Sequence, residues 1–353
     1  MEVADEQVAS QGFKMVCFVH RIKVSRSYSD NRNSRLFLAT FTFNSNICIK
    51  NISLTYFTLF FLNETGYVTT VLAKENDVPV INSVRGSDLH KHIFNPKNHA
   101  QIAWILENSD WVTFVSRDLL KRASVITPSV KLKSSAFWNS IAPIDFEKFP
   151  IPSLVKELPG IVIGSSGRFR DKKGIEFLLD ACADLGKELD LTLLLIGDFV
   201  EKEGEYWQQQ IQQSEIGHRL HITGITSRQE ALAYLPHLDI FAIPSLHDGC
   251  PNTLLEAMLA SRAIIGTRVD AIAEIIEDGV DGLLINPGST EELIAAIRYL
   301  ATQPELRQKL GAAAKTKVTQ QLAPLIEYQN WMNVYQRVLG ISDAGLLGEI
   351  YLV

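Results

Sequence analysis

Cysteine is scarce: four in 353 residues. Cys17, Cys48, Cys182 and Cys250 are scattered, with no C-x-x-C pair. A disulfide framework or a zinc site is therefore not expected, and a reducing, cytoplasmic setting is. Asp-x-Asp is missing altogether, and His90 and His92 have no third ligand spaced to join them, so no metal site is expected. Apolar runs long enough to span a bilayer are also missing. The most apolar N-terminal run, residues 54–62, cannot extend backwards past Lys50 and reads as a buried strand or helix. Residues 13–20 are apolar but short and are followed by basic residues, so no signal peptide is expected. Positive charge is not in excess: the net charge is −6, which argues against a nucleic-acid partner. Finally, residues 1–62 hold a single glycine, Gly12, and no proline.

What is present suffices for two domains of ordinary size, with 46% hydrophobic residues for two cores. The second half alternates regularly. Apolar runs at 161–164, 191–196, 220–223, 240–243, 263–267 and 283–285 read as strands. Helical stretches at 229–235, 252–260 and 291–300 lie between them. This alternation implies a parallel, doubly wound α/β sheet whose ligands bind at the carboxyl ends of the strands. After Leu300 the pattern is helical, with a break at Pro324.

Two motifs follow predicted strands. In the first, Ser245-Leu-His-Asp248-Gly249-Cys-Pro251-Asn252-Thr253-Leu254-Leu-Glu256, Gly249 is read as allowing a tight turn and Pro251 as suiting the first helical position. Free backbone N–H groups there form an anion site. Asp248 and Glu256 flank it; carboxylates repel phosphate, so both are read as acceptors for hydroxyls. The second motif, Gly167-Arg168-Phe-Arg-Asp-Lys-Lys173-Gly174, precedes a helix-like stretch over 175–189. It places two cations at another strand-to-helix turn. Arginine offers a planar fork for phosphate oxygens, and lysine a mobile point charge.

At these residues the chain resembles the retaining glycosyltransferases of family 4, the group 1 class. That class carries Gly-Arg-(x)4-Lys-Gly and Glu-(x)7-Glu; here the second motif stands as Asp248-(x)7-Glu256, an Asp replacing the first Glu. The similarity covers about residues 161–318, and more weakly about 66–149 through Val78-Pro-Val-Ile-Asn, Arg85-Gly-Ser-Asp88 and Asn108-Ser-Asp-Trp-Val-Thr-Phe-Val-Ser116. The resemblance implies a GT-B fold, two Rossmann-like parallel-sheet domains facing a cleft. The expected division is an acceptor-side domain over 1–150, with 1–62 atypical, and a nucleotide-sugar domain over 151–325. A helix and tail over 326–353 are expected to return to the first domain. The resemblance further implies retaining, metal-independent transfer from a nucleotide-diphosphate sugar to an unidentified acceptor, with no cofactor besides that donor. Arg168, Lys173 and the amides of 252–254 would stabilise the departing diphosphate. Glu256 would accept from the ribose, and Asp248 from the transferred sugar. Arg85 occupies a place near the donor sugar where many relatives have His. Glu274 matches a common family Glu that either acts at the site or braces a helix. Ser261 and Asp270 stand where relatives often have Gly.

The N-terminal segment is the exception. A Rossmann-like half should open on a strand and a glycine-rich turn, and residues 1–62 supply no such turn. Divergence and an incomplete first domain both explain this, and 1–62 is expected to be the least well packed part. Two other functions stay open: a nucleotide-sugar-binding protein with little transfer activity, and a sugar-nucleotide 2-epimerase. A peripheral membrane contact and the oligomeric state stay open as well.

Overall fold

The computed structural model describes residues 57–340. They fall into two units. The first runs to Thr113 and adds Ala123–Ser135 and the residues from Asn333; the second comprises Phe114–Arg122 and Ala136–Met332.

The first unit holds a four-stranded sheet in the order β1-β2-β3-β4. Its elements are β1 (Phe57–Phe60), α1 (Glu64–Glu75), β2 (Val80–Val84), α2 (Ser87–His90), α3 (Pro96–Asn108), β3 (Trp111–Phe114) and β4 (Ser134–Ala136); α4 (Arg117–Ile126) starts in the second unit and ends in the first. β1 pairs with β2 in parallel, Thr58 opposite Ile81. Leu59 and Leu62 are buried, and Leu59 packs with Ala73 and Val80. At the end of the segment expected to be poorly packed, residues 57–60 are paired and Thr58, Leu59 and Leu62 are buried, while Phe61 is exposed; residues 1–56 lie outside the described residues. The turn after β1 manages without glycine because Phe61 itself takes a positive φ of 78°. Asn63 then caps α1 by accepting from the Thr65 and Gly66 amides.

The second unit is built on six strands in the order β10-β9-β8-β5-β6-β7. These are β5 (Ile161–Phe169), β6 (Leu191–Phe199), β7 (Leu220–Ile222), β8 (Ile240–Ile243), β9 (Ala263–Thr267) and β10 (Leu283–Ile285). Every neighbouring pair is parallel. The helices are α5 (Ile175–Leu185), α6 (Gly204–Gln213), α7 (Arg228–Tyr234), α8 (Asn252–Leu259), α9 (Asp270–Ile275), α10 (Thr290–Ala301), α11 (Pro304–Gln321) and α12 (Pro324–Leu339), whose residues from Asn333 belong to the first unit. A continuous core of Ile163, Leu178, Leu193, Trp207, Ile240, Ile265 and Ile297, all at most 1% exposed, runs between sheet and helices. Each such side chain contributes about 1.5–3 kcal/mol by leaving water. Among the described residues no helix is long and apolar enough to cross a membrane.

Several boundaries differ from expectation, most at β5, β6 and α5. β5 continues past Gly164 to Phe169, because its ladder with β6 runs on through Gly167 opposite Gly197 and Arg168 opposite Asp198. The helix expected to reach residue 189 stops at Leu185, where Gly186 caps it.

Candidate functional site

Strand order brings the two motifs together. β5 and β8 are neighbours, and the chain winds in opposite directions from them, so the loops leaving them lie at the switch point where open sheets bind ligands. The Leu246 amide donates to the Lys172 carbonyl at 2.9 Å and ties the loops to each other. Gly174, at φ 64°, makes this approach possible: a Cβ there would lie 2.1 Å from the Pro244 carbonyl oxygen.

A buried charge cluster results. Lys173 Nζ donates to Asp248 Oδ2 at 2.5 Å, and Lys172 Nζ stands 3.8 Å from Asp248 Oδ1. The Asp248 amide donates to Asp270 Oδ2 at 2.8 Å. Asp270 is buried at φ 42°, and Ser261 has φ 56°. Left-handed backbone at both positions explains why glycine suits relatives there. Burial pushes the Lys172 ammonium below its ordinary value; Asp248 opposes that shift, and Lys173 and Arg170 add to it. At the far end of the motif, Arg228 Nη2 donates to Glu256 Oε1 at 3.0 Å. Burial pushes the Glu256 carboxyl above its ordinary value, with Arg228 opposing.

Between these carboxylates lies the start of α8. Pro251 is the N-cap with extended backbone, and Asn252 is the first helical residue, so the expectation of proline inside the helix is off by one. No side chain caps the helix. The Leu254 amide turns back to the Pro251 carbonyl at 3.1 Å. The half-buried Thr253 has a buried hydroxyl without a hydrogen-bond partner. Asn139 Nδ2 donates to the Cys250 carbonyl at 3.0 Å and to Asn252 Oδ1 at 3.2 Å, bracing the loop. Gly249 is buried and has no positive φ, so this turn does not rest on glycine's conformational freedom.

Arg168 lies on β5, exposed, rather than in the turn. The extended ladder with β6 moves it there, one residue after Gly167 at φ 142°. Sequence reasoning passed over two residues of this cluster, Lys172 and Arg228, and noted Asp270 only as replacing a glycine, not for its carboxylate. Of the two, Lys172 had a visible signal, as the first half of a lysine doublet.

Arg85 follows β2 in the first unit, its guanidinium 5.4 Å from the Phe60 ring centre. Asp88 accepts from the Leu62 amide at 2.8 Å and the Arg85 amide at 3.1 Å, locking the turns after β1 and β2. Burial pushes the Asp88 carboxyl up, against those backbone bonds. Glu274 braces a helix: it accepts from the Arg117 and Asp118 amides at the start of α4, at 3.1 and 2.9 Å, and from the Trp138 indole at 3.0 Å. Ser116 Oγ accepts from the Leu119 amide at 3.2 Å, the cap expected for that helix. A polar cavity of about 190 Å³, lined by Arg117, Trp138, Glu274 and Glu327 among others, contains none of the two motifs' residues.

Residues 160–303 match the family model of the group 1 glycosyl transferases. Over this segment the chain is similar to that family. The 2-deoxystreptamine N-acetyl-D-glucosaminyltransferase of Niallia circulans is 26% identical to the chain over 170 residues, 48% of this chain and 43% of that protein. The N-acetyl-alpha-D-glucosaminyl L-malate synthase of Bacillus anthracis is 26% identical over 269 residues, 74% of this chain and 68% of that one. The chain thus spans less than half the length of the first of these relatives. Among solved structures, sucrose-phosphate synthase of Thermosynechococcus elongatus aligns with a TM-score of 0.72 at 18% identity, over 83% of this chain and 76% of that one. Anabaena HepE in complex with UDP aligns with a TM-score of 0.68 at 18% identity, over 80% and 79% of the two chains. At these identities the likeness establishes the fold: two parallel-sheet α/β domains of the GT-B type, the segment that matches the group 1 model lying in the second.

Proposed function

We propose that the chain transfers a glycosyl group, with retention at the anomeric carbon, from a nucleoside-diphosphate sugar to a saccharide, lipid or small-molecule acceptor. One observation carries the reading: an uncapped helix start stands between two buried carboxylates at a sheet switch point, with Lys172 and Lys173 paired to the first of them. The relative from Niallia circulans is named as an N-acetyl-D-glucosaminyltransferase, and HepE was crystallised with UDP, which supports sugar transfer from a nucleoside-diphosphate donor. In this reading Arg168, Lys173 and the amides at the start of α8 take the diphosphate. They stabilise the charge that grows on it as the bond from the anomeric carbon breaks. Asp248 accepts from a hydroxyl of the transferred sugar and Glu256 from the ribose. Positive groups then neutralise the leaving diphosphate without a metal ion, and the scattered cysteines suit a cytoplasmic setting.

The test is calorimetry with UDP-glucose and other nucleotide sugars, in EDTA, followed by product analysis that reads the anomeric configuration. Lys173→Ala is expected to weaken donor binding by about 1.5–3 kcal/mol, and exposed Arg168→Ala by less. Unchanged affinity in both variants, a strict need for Mn²⁺, or an inverted product contradicts the proposal.

A further inference from the structure

Asp248 is one carboxylate between two ammonium groups. Its side chain is 12% exposed, that of Lys172 24% and that of Lys173 17%. Asp270, the other carboxylate at this turn, receives the Asp248 amide. If Lys173 turns to a bound diphosphate, as the proposed function requires, its bond to Asp248 breaks. A buried carboxylate stripped of its partner is strongly unfavourable, more so than never having had the pair. Lys173 therefore cannot leave at low cost unless another cation stays behind.

The structure supplies that cation. We infer that Lys172 is the standing counter-ion of Asp248: it holds the carboxylate charged and in place while Lys173 moves to the diphosphate. Lys172 Nζ is within ion-pair reach of the oxygen that Lys173 does not use. Its backbone is anchored by the Leu246 amide, so it moves with the Asp248 loop. Burial disfavours its charge and Asp248 offsets part of that, as for a pair inside a poorly solvated pocket. Lys172 is thus a positioning residue acting through Asp248, and the inference rests on the diphosphate reading of the site.

A double-mutant cycle tests it, with binding measured for UDP, GDP, ADP and inorganic pyrophosphate. Lys172→Met keeps the apolar stem and removes the charge; apo thermal unfolding of every variant checks that it is folded. Lys172→Met is expected to weaken diphosphate binding roughly tenfold in the wild-type background, and by less than about twofold when Asp248→Asn is also present, because no carboxylate is then left to strand. Lys172→Arg should retain wild-type affinity. Equal losses in both backgrounds overturn the inference, since they describe a direct phosphate contact or a merely structural lysine. A wild-type chain that binds none of the four probes overturns the diphosphate reading and this inference together.

Discussion

Glu256 shows how one side chain can carry two demands. Its carboxylate is 12% exposed and held by an arginine that is itself 72% exposed, a screened partner that offsets little of the burial cost. The folded-state pKa is raised above the ordinary value of 4.5. The native protein therefore keeps a proton that the unfolded chain has already lost, and stability falls as pH rises through the window above that value. Glu256→Gln has no such loss. The variant should gain stability relative to wild type as pH rises above that ordinary value, in paired thermal melts. The same variant should lose affinity for UDP and keep its affinity for pyrophosphate, because the proposed partner of Glu256 is the ribose. Parallel losses for both probes would place Glu256 at the phosphates instead.

At the scale of elements, the site depends on how closely two strand-to-helix loops can approach. The tightest point is Gly174 against the Pro244 carbonyl. Gly174→Ala meets both a clash with backbone and a left-handed φ, so it should destabilise the protein by about 1–3 kcal/mol or more. Because the displaced loop carries Lys172 and Lys173, diphosphate affinity should fall with it. Chemical denaturation checks the first effect and calorimetry the second. An unaffected variant would mean that the loops can separate without harm to the site. Helix boundaries matter in the same way: with Pro251 outside α8, the helix begins at Asn252, whose side chain is braced by Asn139.

At the scale of the molecule, the second unit has its own sheet and a continuous core. The first unit relies on β1 as a paired strand carrying the buried Leu59. A chain beginning at Asn63 removes that strand. The first unit should then lose at least the roughly 1.5–3 kcal/mol of one buried leucine and melt in an earlier calorimetric transition. The second unit should retain UDP affinity to within about twofold, since every residue assigned to the diphosphate and ribose lies from Arg168 onward. Loss of UDP binding on this truncation would show that the first unit holds part of the donor.

Sequence by itself determined the element types and order of the second unit, because buried parallel strands read as short apolar runs and their helices as amphipathic ones, both local signals. It also located Asp248, Glu256, Arg168 and Lys173 by spacing. It did not determine who partners whom. Lys173 and Asp248 are 75 residues apart, and they meet because β8 lies against β5, a choice of strand order that local periodicity does not encode. The same holds for Arg228 on Glu256 and for Asp270 beneath the Asp248 amide. Arg168 was expected in a turn and stands on a strand, because whether a strand continues through a glycine depends on its neighbour's ladder rather than on its own residues. Local pattern chose the elements; long-range pairing decided which charges share the site.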